Sequence, residues 1–171
     1  TYIAGYTDDE DKVYSGELPV VIFGDHTRVF KFIDFPFVCG ADGVKVLPPD
    51  KEKFYPLFLF FSLLSLEIPS RGYNRHYRLL KEKKIPLPPL SEQQKIAVVL
   101  STIQNAIEKT ELVIKATKEF KKSMMKYLFT YGPVPISEAE HIKLKETEIG
   151  MIPKNWYASK IKDVVQSITD C

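Results

Sequence analysis

Cysteine is scarce in this sequence, and long apolar runs are absent. The 171 residues include only two cysteines, Cys39 and Cys171, which lie in different segments and give no disulfide framework. The most apolar run, 54–66, has thirteen residues, whereas about 20 are needed to span a bilayer, so we expect a buried helix there and no membrane partner. A signal peptide is also lacking. Together these features predict a protein of the reducing cytoplasm.

A strong excess of charge of either sign is missing as well. The net charge is +2, so overall electrostatics does not by itself indicate a nucleic-acid-binding protein. The charges are nevertheless unevenly distributed, because the first seventeen residues are acidic and residues 71–84 are basic. Against the single acid Glu82, this second segment holds Arg71, Arg75, Arg78, Lys81, Lys83 and Lys84.

Four short strands are predicted ahead of the helix at 54–66. Leu18–Phe23 is a continuous apolar run, and Arg28–Ile33 alternates basic and apolar residues as a half-buried strand does. Phe37–Cys39 and Val44–Leu47 are short apolar stretches around a glycine-containing turn. Strands followed by helices predict the α+β fold class.

The longest predicted element is one helix of about forty residues. Prolines in 85–90 keep the approach extended, and Ser91 suits the N-cap position with Gln94 completing a capping box. Gly132 and the prolines after it end the helix, which at 1.5 Å per residue is about 60 Å long. Apolar residues recur every three or four positions, so one face needs a partner helix. This predicted pairing face comprises Ile96, Val99, Leu100, Ile103, Ile107, Val113, Ile114, Phe120, Met124 and Leu128.

Two segments of the sequence form a specific pattern when they are considered together. Residues 85–96, with the sequence IPLPPLSEQQKI, closely resemble the junction in specificity subunits of type I restriction–modification systems where a target-recognition domain runs into a long spacer helix. Residues 147–156, TEIGMIPKNW, are similar to the start of the next recognition domain in the same family. Residues 23–28 and 40–43 also resemble the sheet region of one subclass of these domains. The motifs occur in the right order and at the right distance, so the resemblance covers nearly the whole chain.

The resemblance implies a small mixed α/β target-recognition domain followed by one long, coiled-coil-like spacer helix. Residues 1–88 would be the later part of that domain, 89–131 the spacer helix, 132–146 a linker and 147–171 the start of a second recognition domain. Both ends of the chain would then lie inside domains. We therefore expect two copies to pair their helices antiparallel as a homodimer, each tail completing the other's domain.

The resemblance also implies a function without catalysis. Subunits of this family read a bipartite site in double-stranded DNA, set the distance between the half-sites with the spacer, and dock methyltransferase (modification) and motor–nuclease (restriction) subunits. No cofactor or metal is expected. Arg and Lys neutralise phosphates, and Arg and Asn read base edges. The candidate DNA-binding residues are therefore Arg28, Lys31, Arg71, Tyr73, Asn74, Arg75, His76 and Arg78.

Other interpretations of these residues remain open. By its composition alone, the basic segment is interpreted as a solvated loop. The turn around Asp25 is explained equally well as an Asx-turn or as a DNA contact. Neither Pro-Pro site has the flanking residues of an amino-methyltransferase, and the nuclease-like pair Asp50 and Glu82 belongs to a pattern that is frequent by chance. The histidines and cysteines lack zinc-ligand spacing. The alternative function is a non-catalytic, oligomeric coiled-coil scaffold without DNA specificity.

Overall fold

The computed structural model describes residues 5–70, 72 and 74–165. Its backbone contacts divide the chain into two compact units, residues 1–106 and 107–171. Over the described residues, no helix has the length and apolarity that crossing a membrane requires.

The first unit is built on a three-stranded antiparallel sheet. Its strands are β1 (Val20–Gly24), β2 (Phe30–Ile33) and β3 (Val44–Leu47), with β1 in the centre. Val21 pairs with both outer strands in register, and the alternation of side chains then defines the two faces. One face carries the core residues Val21, Phe23, Phe30, Phe32 and Leu47.

Two short helices pack on this core face. Helix α1 (Pro56–Leu64) contributes Leu63, and helix α2 (Tyr77–Lys81) contributes Leu80. Helix α1 is shorter than the predicted helix 54–66, because Tyr55 precedes a proline and is held in an extended conformation with ψ 123°. The small sheets and the long helix that follows confirm the predicted α+β class.

Two details of the predicted sheet are wrong. Arg28 has a φ of +61°, which a strand does not allow, so β2 begins at Phe30. Residues 37–39 are not a strand, because their backbone does not join the ladder. Phe37 instead accepts one hydrogen bond from the backbone N–H of Tyr14 at 2.9 Å and stacks on its ring.

Helix α3 (Leu90–Tyr131) is the long helix, and it begins one residue before the predicted cap. The carbonyl of Pro89 already accepts a helical hydrogen bond from the N–H of Gln93 at 3.0 Å. Ser91 therefore lies within the first turn, and the predicted N-cap at Ser91 is wrong. The residues of α3 fall into both units.

The second unit contains the end of α3 and a two-stranded hairpin. Gly132, with φ +84°, ends the helix, and the hydroxyl of Tyr127 donates to the carbonyl of Val134 at 3.0 Å. The hairpin consists of β4 (Leu144–Thr147) and β5 (Gly150–Pro153). A 3-10 helix (Ile136–His141) lies in the connection between α3 and β4.

Candidate nucleic-acid interface

The Asp25 carboxylate in the β1–β2 turn caps the N-terminus of helix α2. Its Oδ1 accepts hydrogen bonds from the backbone N–H of His76 at 2.7 Å and of Tyr77 at 2.6 Å. The Asp25 carbonyl also lies 2.9 Å from Nδ1 of His76. Asp25 is 1% exposed and His76 is fully buried. The first N–H groups of a helix have no partners within it, so this carboxylate supplies the acceptor that α2 lacks.

Arg28, in the same turn, holds a second point of the chain. Its guanidinium donates to the backbone carbonyl of Ile68 at 3.0 Å. The turn itself is closed by the N–H of Arg28 donating to the carbonyl of Gly24 at 2.7 Å. A cleft of about 390 Å³ runs beside this contact, between the turn and the end of α1. It is lined by Thr27, Arg28, Val29, Phe30, Leu64, Leu66 and Ile68.

These two contacts fix both ends of residues 69–75, which we call the anchored loop. Ile68 is held at one end by Arg28, and His76 is held at the other by Asp25. The β1–β2 turn therefore sets where the anchored loop leaves the domain and where it returns. Loops held in position by a rigid scaffold commonly carry binding residues.

Seven of the eight predicted DNA-binding residues fall into three groups. Asn74, Arg75 and Arg78 are exposed at the end of the anchored loop and on α2. Arg28 and His76 are instead engaged in the contacts that hold the anchored loop. A direct DNA contact by His76 does not fit its complete burial. Arg71 and Tyr73 lie outside the described residues.

Lys31, the remaining predicted residue, lies on the other face of the sheet from the core. It is half-buried and opposite Ile22 in the ladder. Lys45 on β3 is opposite Phe23 and therefore shares the face that α2 covers. The structure thus brings Lys45, rather than Lys31, to the side of the sheet where α2 packs.

The ring of Tyr77 lies close to two lysine side chains. The Nζ atom of Lys45 is 5.9 Å from the ring centroid, and that of Lys81 is 5.6 Å from it. Sequence reasoning did not include these lysines among the DNA-binding candidates. Lys81 follows Tyr77 by four residues, a spacing that brings two side chains together on a helix. No such local pattern in the sequence connects Lys45 with Tyr77.

Gln93 joins the start of α3 to the first unit. Its amide nitrogen donates to the carbonyls of Lys53 and Pro88, both at 2.8 Å. Its amide oxygen accepts from the N–H of Tyr55 at 2.8 Å, and the side chain is fully buried. Three hydrogen bonds from one buried amide fix the start of α3 against the segment that precedes α1.

The predicted pairing face of α3 is largely uncovered. Gln93 and Ala97 are the buried residues of the helix. At about 100° per residue, Ile96, Leu100, Ile103 and Ile107 cluster within about 60°, and this cluster is centred about 70° around the helix from the mean direction of Gln93 and Ala97. Nine of the ten predicted pairing residues are exposed, and Met124 is half-buried. Within the described residues, this apolar face therefore has little cover.

Two exposed lysines near α1 are already paired with acids. Lys53 lies 2.6 Å from Asp50, and this hydrogen bond lowers the pKa of the Asp50 carboxyl and raises the pKa of Lys53. Lys51 lies 2.8 Å from Glu17 and lowers the pKa of that carboxyl by the same kind of hydrogen bond. Lys51 and Lys53 therefore each have an acidic partner, whereas no ion pair within the described residues involves the lysines beside Tyr77.

Comparison with known proteins identifies relatives over most of the chain. The sequence profile described as the type I restriction modification DNA specificity domain matches residues 8–116. The type I restriction enzyme MjaVIII specificity subunit of Methanocaldococcus jannaschii is 40% identical over 117 residues, which are 68% of this chain and 26% of that protein. No solved structure matches.

Two further relatives agree with this match. The putative type I restriction enzyme MjaX specificity subunit of Methanocaldococcus jannaschii is 38% identical over 130 residues, 70% of this chain and 29% of its own length. The EcoR124I/EcoR124II specificity subunit of Escherichia coli is 27% identical over 163 residues, 92% of this chain and 40% of its own length. The chain thus spans about a quarter to two fifths of the length of these relatives.

Proposed function

Because the chain belongs to the type I restriction modification DNA specificity family, we propose that it reads part of a bipartite site in double-stranded DNA. The observation that carries this proposal is the anchored loop, which the β1–β2 turn holds at Ile68 and at His76. Asn74 and Arg75 lie at the end of that loop and are exposed. Asn recognises adenine and Arg recognises guanine through paired hydrogen bonds in the major groove.

Recognition combines two kinds of contact in this proposal. Basic side chains neutralise phosphates and fix the position of the protein on the duplex, and the anchored loop reads base edges. The chain itself performs no catalysis. Methylation and cleavage belong to the modification and motor–nuclease subunits of the complex into which it docks.

The uncovered face of α3 supports a helix partner for this protein. In the proposed assembly a second copy supplies an antiparallel α3, and the apolar residues of both copies are buried against each other. Removal of such residues from water is the main favourable term in helix pairing. The spacing of the two half-sites on DNA then follows from the pairing of the helices.

A selection from random duplexes tests the proposed function. The full chain is incubated with a randomised pool, bound duplexes are sequenced, and affinity is measured at increasing salt. We expect an enriched motif and a linear fall of log K with log salt concentration. Arg75→Ala and Asn74→Ala should lose the preference at one base pair each, which corresponds to about 1–3 kcal/mol per position.

The same measurements separate the alternative function. A coiled-coil scaffold without DNA specificity enriches no motif, and its affinity for duplex DNA has no salt dependence. Lys53→Ala is the matched control, because its charge is already paired with Asp50. Absence of both the motif and the salt dependence would refute the proposed function.

A further inference from the structure

The arrangement around Tyr77 brings two positive charges together on a fixed aromatic ring. The Nζ atoms of Lys45 and Lys81 lie 5.9 and 5.6 Å from the ring centroid, so they are at most about 11.5 Å apart. Attraction of each ammonium to the ring offsets part of the repulsion between the two charges. A DNA strand carries one phosphate per 3.4 Å of helix axis, so this distance corresponds to about three nucleotides or fewer.

The core of the first unit fixes the ring. Tyr77 packs against the core cluster, and its backbone N–H is bound by the Asp25 carboxylate. Lys45 comes from a strand whose register with β1 is set by backbone hydrogen bonds, and Lys81 is the last residue of α2. The pair is therefore preorganised by the fold and needs little ordering when an anion binds.

No acid of the described residues forms an ion pair with either lysine. The ion pairs in this part of the chain are Lys12 with Asp9, Lys51 with Glu17 and Lys53 with Asp50. Arg75 and Arg78 are close in sequence to Tyr77 and exposed. Two unneutralised charges next to further cations favour a ligand with several negative charges in a row, such as a nucleic-acid backbone.

We infer that Lys45 and Lys81, aligned on the ring of Tyr77, bind successive phosphates of one DNA strand. This inference rests on the proposed function and adds to it a contact that carries no sequence information. Its role is to hold the duplex in register while the anchored loop reads the bases. Tyr77 is a positioning residue, because it acts on the phosphates through the two lysines.

The test measures the salt dependence of binding in the full chain. Lys45→Gln and Lys81→Gln remove one charge each and keep most of the side chain. Each should reduce the slope of log K against log salt by about 1 and weaken binding equally for the selected duplex and a scrambled one. Lys53→Gln, the matched control, should keep the slope of the unmodified protein.

Two substitutions of Tyr77 test the role of the ring. Tyr77→Leu should weaken binding several-fold at low salt without changing which sequence is preferred, and Tyr77→Phe should recover most of that loss because the ring remains. If Tyr77→Phe is as weak as Tyr77→Leu, the ring does not position the lysines, and this part of the inference is overturned. Circular dichroism establishes that each variant is folded.

The outcomes distinguish the two proposals. Salt-dependent binding with unchanged slopes in both lysine variants overturns the inference and leaves the proposed function in place. A loss of affinity limited to the selected duplex overturns it too, since phosphate contacts do not discriminate sequences. Binding by the unmodified chain with neither salt dependence nor sequence preference overturns the proposed function, and the inference falls with it.

Discussion

The carboxylate of Asp25 accepts a hydrogen bond at 2.6 Å from the backbone N–H of Tyr77, 52 residues further along the chain. One short bond thus joins the tip of the β1–β2 hairpin to the first turn of α2. Because α2 carries Tyr77 and Lys81, the hairpin controls the position of the proposed phosphate-binding pair.

Loss of the Asp25 carboxylate should destabilise the first unit. Asp25→Ala removes the acceptor of the Tyr77 N–H and leaves the His76 N–H only its 3.1 Å bond to the backbone carbonyl of residue 25, so we expect a loss of about 2 kcal/mol in the free energy of unfolding. Hydrogen exchange at the amides of β1 measures it. Asp34→Ala, at an exposed position, should change it by less than about 0.5 kcal/mol. Equal exchange rates in both variants would contradict the capping role.

Two substitutions of Arg28 should separate the effect of its backbone conformation on stability from the effect of its side chain. Both Arg28→Ala and Arg28→Gly lose the bond to Ile68, but only glycine adopts φ +61° without strain. We therefore expect Arg28→Gly to be more stable than Arg28→Ala by about 1 kcal/mol in urea denaturation. The two variants should nevertheless show the same loss of sequence preference in DNA selection. A preserved preference would mean that Ile68 does not need this anchor.

Gln93 should be far more sensitive to substitution than its neighbour. Gln93→Leu removes three hydrogen bonds and leaves the N–H of Tyr55 without its partner, so a loss of about 2–3 kcal/mol is expected. Gln94→Leu is the matched control, because Gln94 is exposed. Chemical denaturation gives the free energy of unfolding of both variants, and hydrogen exchange in α1 is then compared between them. Similar values for both variants would exclude a special role for Gln93.

The apolar face of α3 should determine the oligomeric state. Light scattering of the full chain should give twice the chain mass of 19.6 kDa. Ile107→Lys places a charge within the predicted pairing face and should shift the mass to that of one chain. Leu112→Lys makes a similar change at an exposed position on the other side of the helix and should leave the dimer intact. A single-chain mass for the unmodified protein at micromolar concentration would refute the pairing.

The sequence predicts the elements that depend on local patterns. Three of the four predicted strands and the helix around 56–64 follow from apolar or alternating runs, and α3 follows from a three- and four-residue spacing of apolar side chains. The strand predicted at Phe37–Cys39 is wrong because three apolar residues in a row do not indicate whether a partner strand is available. Arg28 failed as a strand residue because a left-handed turn conformation is uncommon for arginine.

The contacts that organise the site could not be predicted in the same way. Asp25 and Gln93 bind groups 51 and 38 residues away, and their own neighbours carry no trace of those partners. His76 is buried where this same long-range bond holds it. Its aromatic and basic neighbours in the sequence suggested an exposed position instead. Lys45 was missed because its proximity to Tyr77 exists only after β3 and α2 pack on one face of the sheet.

The attachment of the anchored loop at its two ends has a consequence for how this protein diversifies. The β1–β2 turn binds Ile68 and His76, and these bonds do not involve the side chains between them. Substitutions of the exposed Asn74 and Arg75 therefore leave these two anchors in place. In the proposed function, substitutions there would change the DNA sequence that is read while the bonds that hold the domain together remain in place.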